Sequence, residues 1–265
     1  MYKRQLGALA PLRGDPAAAA VLCDLDGTLA PIVDRPEAAA VPEETREALR
    51  ALAGRYGLVG IVSGRPALDA RRIVGLDALA YSGNHGFELL APGASEPDPD
   101  PALSGHEGDA ARFVGALDRR ELERLGFRVE DKGAIVALHW RGAENEGEAE
   151  ARASEIAAEA EWQSLVPHRG RKVLEIRPDV SIDKGRAVES LLRGRGLHAA
   201  MYGGDDRTDA DAFLGLRRLR EAGELERTVA IAVASEEVPP ALLAEADVRV
   251  DGPGAYREVL RSLAA

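Results

Sequence analysis

Short apolar runs alternate with amphipathic segments along the first third of the chain. Residues 17–24, 56–65 and 78–86 have the length and apolar content of buried strands. The segment between the first two runs is predicted to be a helix that begins at Pro42, which suits the first helical position. Acidic residues follow Pro42, an apolar stripe has helical spacing, and Gly54 is the predicted stop. This alternation predicts an α/β fold, with a parallel sheet and helices on both of its faces.

The alternation breaks at residues 91–109, which are rich in proline and glycine. We predict a linker or hinge there that packs nothing into a core. Residues 110–178 then carry three strand patterns and, at 143–161, an acidic, alanine-rich helix pattern. Strand–helix alternation resumes from about residue 181. The predicted boundaries are a core domain of residues 1–102 and 180–265, and an inserted α/β domain of residues 103–179.

Net charge and composition exclude several classes of partner. The chain has 265 residues, a net charge of −11 and a sequence pI near 5.1, which argues against binding to nucleic acid or anionic lipid. No uncharged window is long enough to span a bilayer, and the first twenty residues make a poor signal peptide. Cys23 is the single cysteine, so a reduced, cytoplasmic setting is expected.

Polar residues follow the first two predicted strands directly. Asp24 and Asp26 end the first strand in "VLCDLDGTLAPI", and Ser63 ends the second, followed by Gly64-Arg65. Ligands of open parallel sheets bind at this carboxyl edge, where a carboxylate can act as nucleophile or metal ligand and a hydroxyl can hold a phosphate oxygen. The structural alternatives are an Asp-Gly turn for the first motif and a helix N-cap for Ser63.

Lys184 is predicted to lie in the first turn of a helix that Asp183 or Ser181 caps. A lysine in that position opposes the helix dipole, so we expect it to have an anionic partner. The alternative is a surface lysine that pairs with Asp183.

The segment "MYGGDDRTDADAF", residues 201–213, crowds four aspartates at one strand end. Thr208 and Asp211 fit a capping box, which explains Asp211 structurally. Asp205 and Asp206 have no such explanation, and adjacent carboxylates at a sheet edge repel each other unless a cation lies between them. Oxygen ligands with retained waters suit Mg²⁺.

In this order, the four motifs resemble those of the haloacid dehalogenase superfamily of phosphotransferases. The resemblance covers nearly the whole chain, and it implies that the sheet order brings the four loops together. The inserted segment lies where one subgroup of that superfamily carries an α/β cap domain.

Several stretches are similar to the trehalose-6-phosphate phosphatase family within that superfamily. They are "GNHGFE" (83–88), "VEDKGAIVALHWR" (129–141), "VLEIRP" (173–178), "DKGRAV" (183–188) and "GGDDRTDADAF". The second is the most informative, because cap sequences vary with substrate. The implied reaction is Mg²⁺-dependent hydrolysis of trehalose 6-phosphate to trehalose and phosphate through an aspartyl-phosphate.

This resemblance implies a role for each candidate residue. Asp24 would be the nucleophile and Asp26 the general acid and base, while Ser63 and Lys184 would orient the phosphate. Mg²⁺ would be held by Asp24, the backbone of Asp26, Asp205 and, through water, Asp206. Glu130, Lys132 and Glu175 would hold the sugar hydroxyls, unless Glu130 and Lys132 are an exposed β-turn pair. His85 would help to close the pocket, and Arg65 and Asn84 are further expected substrate contacts.

Other functions remain open at this point. They are a phosphatase for mannosyl-3-phosphoglycerate or sucrose phosphate, a phosphohexomutase, a sugar-phosphate-binding regulator without turnover, and a receiver-like phosphoacceptor domain. Functional coupling to a trehalose-6-phosphate synthase is a further implication of the resemblance. The sequence leaves the oligomeric state open, with a monomer favoured.

Overall fold

A computed structural model describes residues 6–33, 35, 38–235 and 238–265. The chain forms two compact units, which we call the core unit and the inserted unit. The core unit comprises Met1–Pro99 and Ile182–Ala265, and the inserted unit comprises Asp100–Ser181. That the first is catalytic and the second selects the substrate stays a prediction.

Numbered in chain order, the strands are β1 (Ala19–Cys23), β2 (Leu58–Val62), β3 (Ala80–Gly83), β4 (Glu88–Leu90), β5 (Asp98–Pro99), β6 (Arg128–Asp131), β7 (Val136–His139), β8 (Leu165–Gly170), β9 (Val173–Pro178), β10 (Ala199–Gly204), β11 (Arg227–Ala234) and β12 (Val248–Asp251). The α-helices are α1 (Ala10–Gly14), α2 (Glu43–Ala53), α3 (Ala67–Val74), α4 (Asp109–Gly115), α5 (Arg119–Arg124), α6 (Glu146–Trp162), α7 (Lys184–Leu192), α8 (Asp209–Glu221), α9 (Pro240–Glu245) and α10 (Gly252–Ala264).

The sheet of the core unit has the strand order β12-β11-β10-β1-β2-β3-β4-β5. The six strands from β12 to β3 are parallel, as the sequence predicts. The other two differ, because β4 and β5 pair antiparallel at one edge. Only a tight turn at Asn84–Phe87 joins β3 to β4, and a parallel partner would need a long crossover connection.

Helices cover both faces of this sheet, which confirms the α/β prediction. Alternate residues of β1 enter different hydrophobic clusters, with Val21 on one side and Leu22 on the other. Helices α1, α2, α3 and α10 pack on the first side, and α7, α8 and α9 pack on the second. Helix α2 begins at Glu43, one residue after the predicted start, and ends at Ala53, with the predicted stop Gly54 as its C-cap.

The prediction that residues 91–109 pack nothing into a core is wrong. Leu103 is buried, and Ala94 packs against the core of the sheet. Asp98–Pro99 pairs with β4 as a short edge strand, and an edge is where a strand tolerates proline. Proline and glycine content therefore identified the break in the alternation but not the local packing.

The inserted unit is built on an antiparallel sheet with the order β6-β7-β9-β8. Its core includes Val136, Leu138, Leu174 and Ile176, which alternate along β7 and β9. The predicted acidic helix is α6, which buries an alanine-rich stripe against that core. Because side chains alternate along strands, the residues between these core positions form the other face of the sheet.

No helix within the described ranges is both long and apolar enough to cross a bilayer.

Candidate active site

Three loops of the core unit meet at the carboxyl end of its parallel sheet. Asp24 follows β1, and its backbone N–H donates to the Gly203 carbonyl of the neighbouring β10 at 2.8 Å. Asp205 follows β10, and Lys184 begins α7. Since β1 and β10 are adjacent and parallel, the residues that follow them lie side by side.

Lys184 is the cation of this cluster. Its Nζ lies 2.7 Å from Asp24 Oδ1 and 2.7 Å from Asp209 Oδ1, and its side chain is 2% exposed. The expected anionic partner is therefore present, and the alternative of a surface pair with Asp183 is wrong. Asp183 instead caps α7 by accepting the Arg186 N–H. Burial alone would lower the pKa of Lys184, but Asp209 and Asp24 outweigh it and raise that pKa, so the ammonium stays charged.

Asp209, in the first turn of α8, is fully buried and anchors the cluster. Its Oδ1 accepts hydrogen bonds from Lys184 Nζ and from the Tyr202 hydroxyl, both at 2.7 Å. Its Oδ2 accepts the backbone N–H groups of Asp205 at 2.8 Å and Asp206 at 2.9 Å. Each oxygen thus accepts two donors, which is the ordinary capacity of a carboxylate. Asp209 therefore holds the other members in place.

The buried carboxylates outnumber the cation. Asp24, Asp205 and Asp209 each offer an oxygen within 4.8 Å of the others, and this group could hold a metal ion. Burial raises the pKa of Asp24 well above its usual range and, with Asp209 beside it, raises the pKa of Asp205 to about 7. An all-oxygen donor set with excess negative charge fits a hard divalent cation. Because Asp209 is saturated, Asp24 and Asp205 are the carboxylates left to bind it.

The Asp-Gly-Thr sequence shapes the wall beside Asp205. Gly27 has a φ of +86°, and a Cβ there would lie 2.0 Å from Asp205 Oδ2. The hydroxyl of Thr28, fully buried, donates to Asp205 Oδ1 at 3.0 Å. The motif does form a turn, as the structural alternative expected, and that turn also positions a carboxylate of the cluster.

Asp26 forms a bidentate ion pair with Arg65. Arg65 Nε lies 2.6 Å from Asp26 Oδ2, and Arg65 Nη2 lies 2.7 Å from Asp26 Oδ1. A fork-to-fork pair of this kind fixes the plane of the carboxylate. Asp26 is outside the group of three close carboxylates, so its side chain belongs to a second ion pair of the site.

Ser63 and its neighbours are tied to the loop after β3. The Ser63 hydroxyl accepts the Arg65 N–H at 3.1 Å, and α3 begins only at Ala67, so the N-cap alternative for Ser63 is wrong. The N–H groups of Asn84 and His85 donate to the carbonyls of Arg65 and Ser63, both at 2.9 Å. These bonds connect the loop after β2 to the loop after β3 at the carboxyl edge of the sheet.

The "GNHGFE" motif forms a strained turn after β3. Asn84 and His85 are both left-handed, with φ of 51° and 60°, a conformation that is uncommon for residues with side chains. Glu88 Oε1 accepts the Ala67 N–H at 2.6 Å and Asn84 Nδ2 at 3.2 Å. Burial raises the pKa of Glu88. Such over-determined strain is typical of functional sites.

Asp206, rather than a capping box, organises the start of α8. Its Oδ1 accepts the Thr208 N–H at 2.8 Å, the Thr208 hydroxyl at 2.7 Å and the Asp209 N–H at 3.2 Å. Thr208 itself makes no side-chain cap, so the predicted Thr208–Asp211 capping box is wrong. An acidic side chain at a helix start serves the same purpose.

The predicted sugar contacts lie in the inserted unit and are paired there. Lys132 Nζ lies 2.9 Å from Glu175 Oε1, and Glu130 Oε2 lies 2.7 Å from His139 Nε2. Arg177 donates to Glu175 Oε2 from Nη2 at 2.5 Å and from Nε at 3.2 Å. The alternative of an exposed Glu130–Lys132 turn pair is therefore wrong.

Comparison with known proteins identifies the family of this chain. The trehalose-phosphatase family profile matches residues 22–252. The chain belongs to the trehalose-phosphatase family. It is 33% identical over 257 residues to a trehalose 6-phosphate phosphatase of Zea mays, a match that covers 91% of this chain and 68% of the plant protein.

This trehalose-phosphatase family member also matches part of much longer proteins. It is 39% identical over 208 residues to an uncharacterized glycosyl hydrolase of Mycobacterium tuberculosis, which covers 75% of this chain and 15% of the relative's length. Among solved structures, the C-terminal domain of trehalose-6-phosphate phosphatase from C. albicans superposes with a TM-score of 0.72 at 22% identity, covering 98% and 96% of the two chains. That likeness shows the fold.

The sequence of this trehalose-phosphatase family member did not reveal every residue that holds the candidate side chains in place. Asp209 was visible as one aspartate of four, but its burial and its four donors were not. Thr28 and Tyr202 in the core unit, and His139 and Arg177 in the inserted unit, have no local sequence pattern that indicates their contacts, because the fold creates those contacts.

Proposed function

We propose that this chain is a Mg²⁺-dependent phosphatase that hydrolyses trehalose 6-phosphate to trehalose and inorganic phosphate. The observation that carries the proposal is the contact of Lys184 with Asp24, 2.7 Å apart in a buried cluster that also includes Asp205. Membership of the trehalose-phosphatase family and relatives named as trehalose-phosphate phosphatases support the substrate. A trehalose-6-phosphate synthase would supply that substrate.

Asp24, Asp205 and the backbone carbonyl of Asp26 would hold the Mg²⁺, with Asp206 contributing through water. The excess of buried carboxylates over the single Lys184 supports this assignment. When bound, the ion would neutralise phosphate charge and lower the barrier to attack by an anion. Asp209 would take no part as a ligand, because its oxygens already accept four donors.

In the first step the Asp24 carboxylate attacks phosphorus and forms an aspartyl-phosphate. The bond between phosphorus and the sugar oxygen breaks, and Asp26 gives that oxygen its proton. Lys184 and Ser63 neutralise and orient the equatorial phosphate oxygens, which is where most of the acceleration of phosphoryl transfer arises.

In the second step a water molecule attacks the phosphorus of the aspartyl-phosphate. Asp26, now a carboxylate, accepts the proton of that water, and phosphate leaves with Asp24 restored. An acid at position 26 matters because a sugar alkoxide is a poor leaving group unless it is protonated. The bidentate contact with Arg65 would fix the orientation of this carboxylate between the steps.

The inserted unit would select the sugar. Glu130, Lys132 and Glu175 are proposed to hydrogen-bond its hydroxyls. In the core unit, His85, Asn84 and Arg65 would contribute further contacts. Their strained, cross-linked loop supports a functional assignment.

Steady-state kinetics on a panel of sugar phosphates tests the proposal. With Mg²⁺ present, kcat/KM for trehalose 6-phosphate should exceed that for glucose 6-phosphate, sucrose 6-phosphate and mannosyl-3-phosphoglycerate, and EDTA should abolish the release of phosphate. Equal rates on every sugar would contradict the substrate assignment, and turnover in excess EDTA would contradict the metal. Isomerisation of a hexose phosphate without release would indicate a mutase.

The Asp24→Asn variant separates an enzyme from a sugar-phosphate-binding regulator. An amide of the same shape cannot attack phosphorus, so turnover should fall by a factor on the order of 10³ or more while the fold persists. A wild-type protein that binds trehalose 6-phosphate with Mg²⁺ but releases no phosphate would favour the regulator instead.

A further inference from the structure

Polar side chains line one face of the inserted sheet. Five of them, which we call the polar face, are Glu130, Lys132, His139, Glu175 and Arg177. Arg128 and His168 lie on the same side, opposite His139 and Glu175 in the strand register. In the strand register Glu130 lies opposite Ala137, and Ala137 lies opposite Glu175. The two carboxylates thus stand two strands apart, about 10 Å between their backbones, with a single methyl group between them.

Each carboxylate on this face is held by its own partner. Glu130 Oε2 lies 2.7 Å from His139 Nε2, and Glu175 is held by Lys132 at one oxygen and by Arg177 at the other. Burial lowers the pKa of His139, although Glu130 opposes this, so the imidazole is neutral near pH 7. A neutral ring must therefore carry its proton on Nε2 to donate to the carboxylate.

Both carboxylates of the polar face already have partners, and Arg128, opposite His139 in the strand register, adds a further cation on the same side of the sheet. A face whose carboxylates are already paired suits a neutral ligand that offers hydroxyl groups. Glu130 can accept such a group directly, because Oε1 has no hydrogen-bond partner in the part of the chain that the structure describes.

We propose that His139 and Arg177 are positioning residues for sugar specificity. His139 holds Glu130, and Arg177 holds Glu175, in the orientation that accepts hydrogen bonds from the hydroxyls of the sugar. The inference rests on the proposed function, and it extends that function from the residues that contact the sugar to those that orient them.

The physical basis is preorganisation. A glutamate has three rotatable side-chain bonds, and ordering them on binding costs affinity. His139 and Arg177 fix those bonds before the ligand arrives. Removing either partner should weaken binding of the sugar by about three- to tenfold without changing the phosphate chemistry. The effect should therefore appear in KM more than in kcat.

The test uses the full chain with Mg²⁺ and two substrates, trehalose 6-phosphate and p-nitrophenyl phosphate. The variants are His139→Ala, His139→Gln and Arg177→Lys. Glutamine keeps an N–H donor and lysine keeps a charge, so both are conservative. His106→Ala and Arg124→Lys are matched controls in the same unit, because His106 pairs with Asp109 at 2.9 Å and Arg124 pairs with Glu148 at 3.1 Å.

For His139→Ala, KM for trehalose 6-phosphate should rise three- to tenfold while kcat changes less than twofold. The ratio of kcat/KM for the sugar phosphate to that for the aryl phosphate should fall accordingly. His139→Gln should recover, on a logarithmic scale, at least half of the kcat/KM for trehalose 6-phosphate that His139→Ala loses. Arg177→Lys should show a smaller rise in KM than His139→Ala. Both control variants should match wild type. Thermal unfolding checks that every variant is folded.

The experiment distinguishes failure of the positioning role from failure of the proposed function. If wild type hydrolyses trehalose 6-phosphate but His139→Ala and Arg177→Lys keep its KM, or lose equally on both substrates, the positioning role is overturned alone. If wild type hydrolyses p-nitrophenyl phosphate and not trehalose 6-phosphate, the proposed function fails and this inference fails with it.

Discussion

The carboxylate cluster of the core unit and the polar face of the inserted unit are both built from acidic side chains held by basic ones. They differ in burial and in charge balance. In the cluster, Lys184 is 2% exposed and lies between the buried carboxylates of Asp24 and Asp209, whereas on the polar face side chains are 11–33% exposed and each carboxylate has its own partner. A buried site with excess negative charge requires a further cation and depends on every member, while a partly exposed face with paired carboxylates tolerates change.

Replacing the lysine of each region should give the largest contrast. Lys184→Met leaves Asp24 and Asp209 buried without their cation, so it should lower the free energy of unfolding by about 3–5 kcal/mol and abolish turnover. Lys132→Met, which leaves Glu175 with Arg177, should cost only about 1–2 kcal/mol. Urea unfolding monitored by circular dichroism measures both.

Added Mg²⁺ should reduce the loss in Lys184→Met, because the ion supplies part of the missing positive charge, and it should not change the loss in Lys132→Met. Equal losses for the two variants would show that burial and charge balance do not distinguish the regions.

The unbalanced cluster also predicts a stability that falls as pH rises, whereas the lowered pKa of His139 on the polar face acts in the opposite direction. Burial and Asp209 raise the pKa of Asp205 to about 7 in the folded protein, against about 3.9 when unfolded. Between these values the folded state holds a proton that the unfolded state has lost, so stability falls as pH rises. In EDTA, the free energy of unfolding should fall by an amount on the order of 2–4 kcal/mol from pH 4 to pH 8.

Urea titrations at each pH measure this slope. Mg²⁺ should flatten it by stabilising the ionised carboxylates. Asp205→Asn should reduce it in EDTA because the amide does not ionise, and the slope that remains comes from Asp24, whose pKa burial also raises. A slope in EDTA that Asp205→Asn leaves intact would assign the dependence to other groups.

Two glycines with nearly the same φ angle allow a comparison of how crowded the two units are around them. Gly27 has a φ of +86° and Gly133 a φ of +84°, but a Cβ at Gly27 would overlap Asp205, and one at Gly133 would have nothing within 4 Å. Gly133→Ala should therefore cost about 1–2 kcal/mol from backbone strain alone. Gly27→Ala should cost about 2–4 kcal/mol because Asp205 must also move.

Activity separates the two changes further. Displacement of Asp205 should weaken activation by Mg²⁺ at least tenfold in Gly27→Ala, as measured by titration of phosphate release with the ion. If Gly133→Ala weakened Mg²⁺ activation as much, the effect would not come from the contact with Asp205.

The fold and the candidate site were predictable from the sequence only where they depend on local patterns. Strand ends, the cation at the start of α7 and the adjacent aspartates are local patterns that identify Asp24, Lys184 and Asp205 as candidates. That these residues lie together was implied by the family resemblance, and the structure places them together. The antiparallel edge formed by β4 and β5 depends on one tight turn. The pairing of Lys184 with Asp24 spans 160 positions in the chain, so only the strand order decides it.

The local sequence does not indicate the role of Tyr202, because a tyrosine inside a buried strand is usually only a core residue. Its hydroxyl donates to Asp209 Oδ1, which also accepts Lys184. Tyr202→Phe should leave that oxygen one donor short, lower the free energy of unfolding by about 1–2 kcal/mol and reduce kcat less than tenfold.

Tyr81→Phe is the matched control, since its buried hydroxyl donates to the Leu76 carbonyl instead. Both should lose similar stability, but only Tyr202→Phe should lower kcat, because only it loosens the carboxylate that orients Lys184. A fall in kcat that is the same in both variants would mean that Tyr202 supports the core and not the cluster.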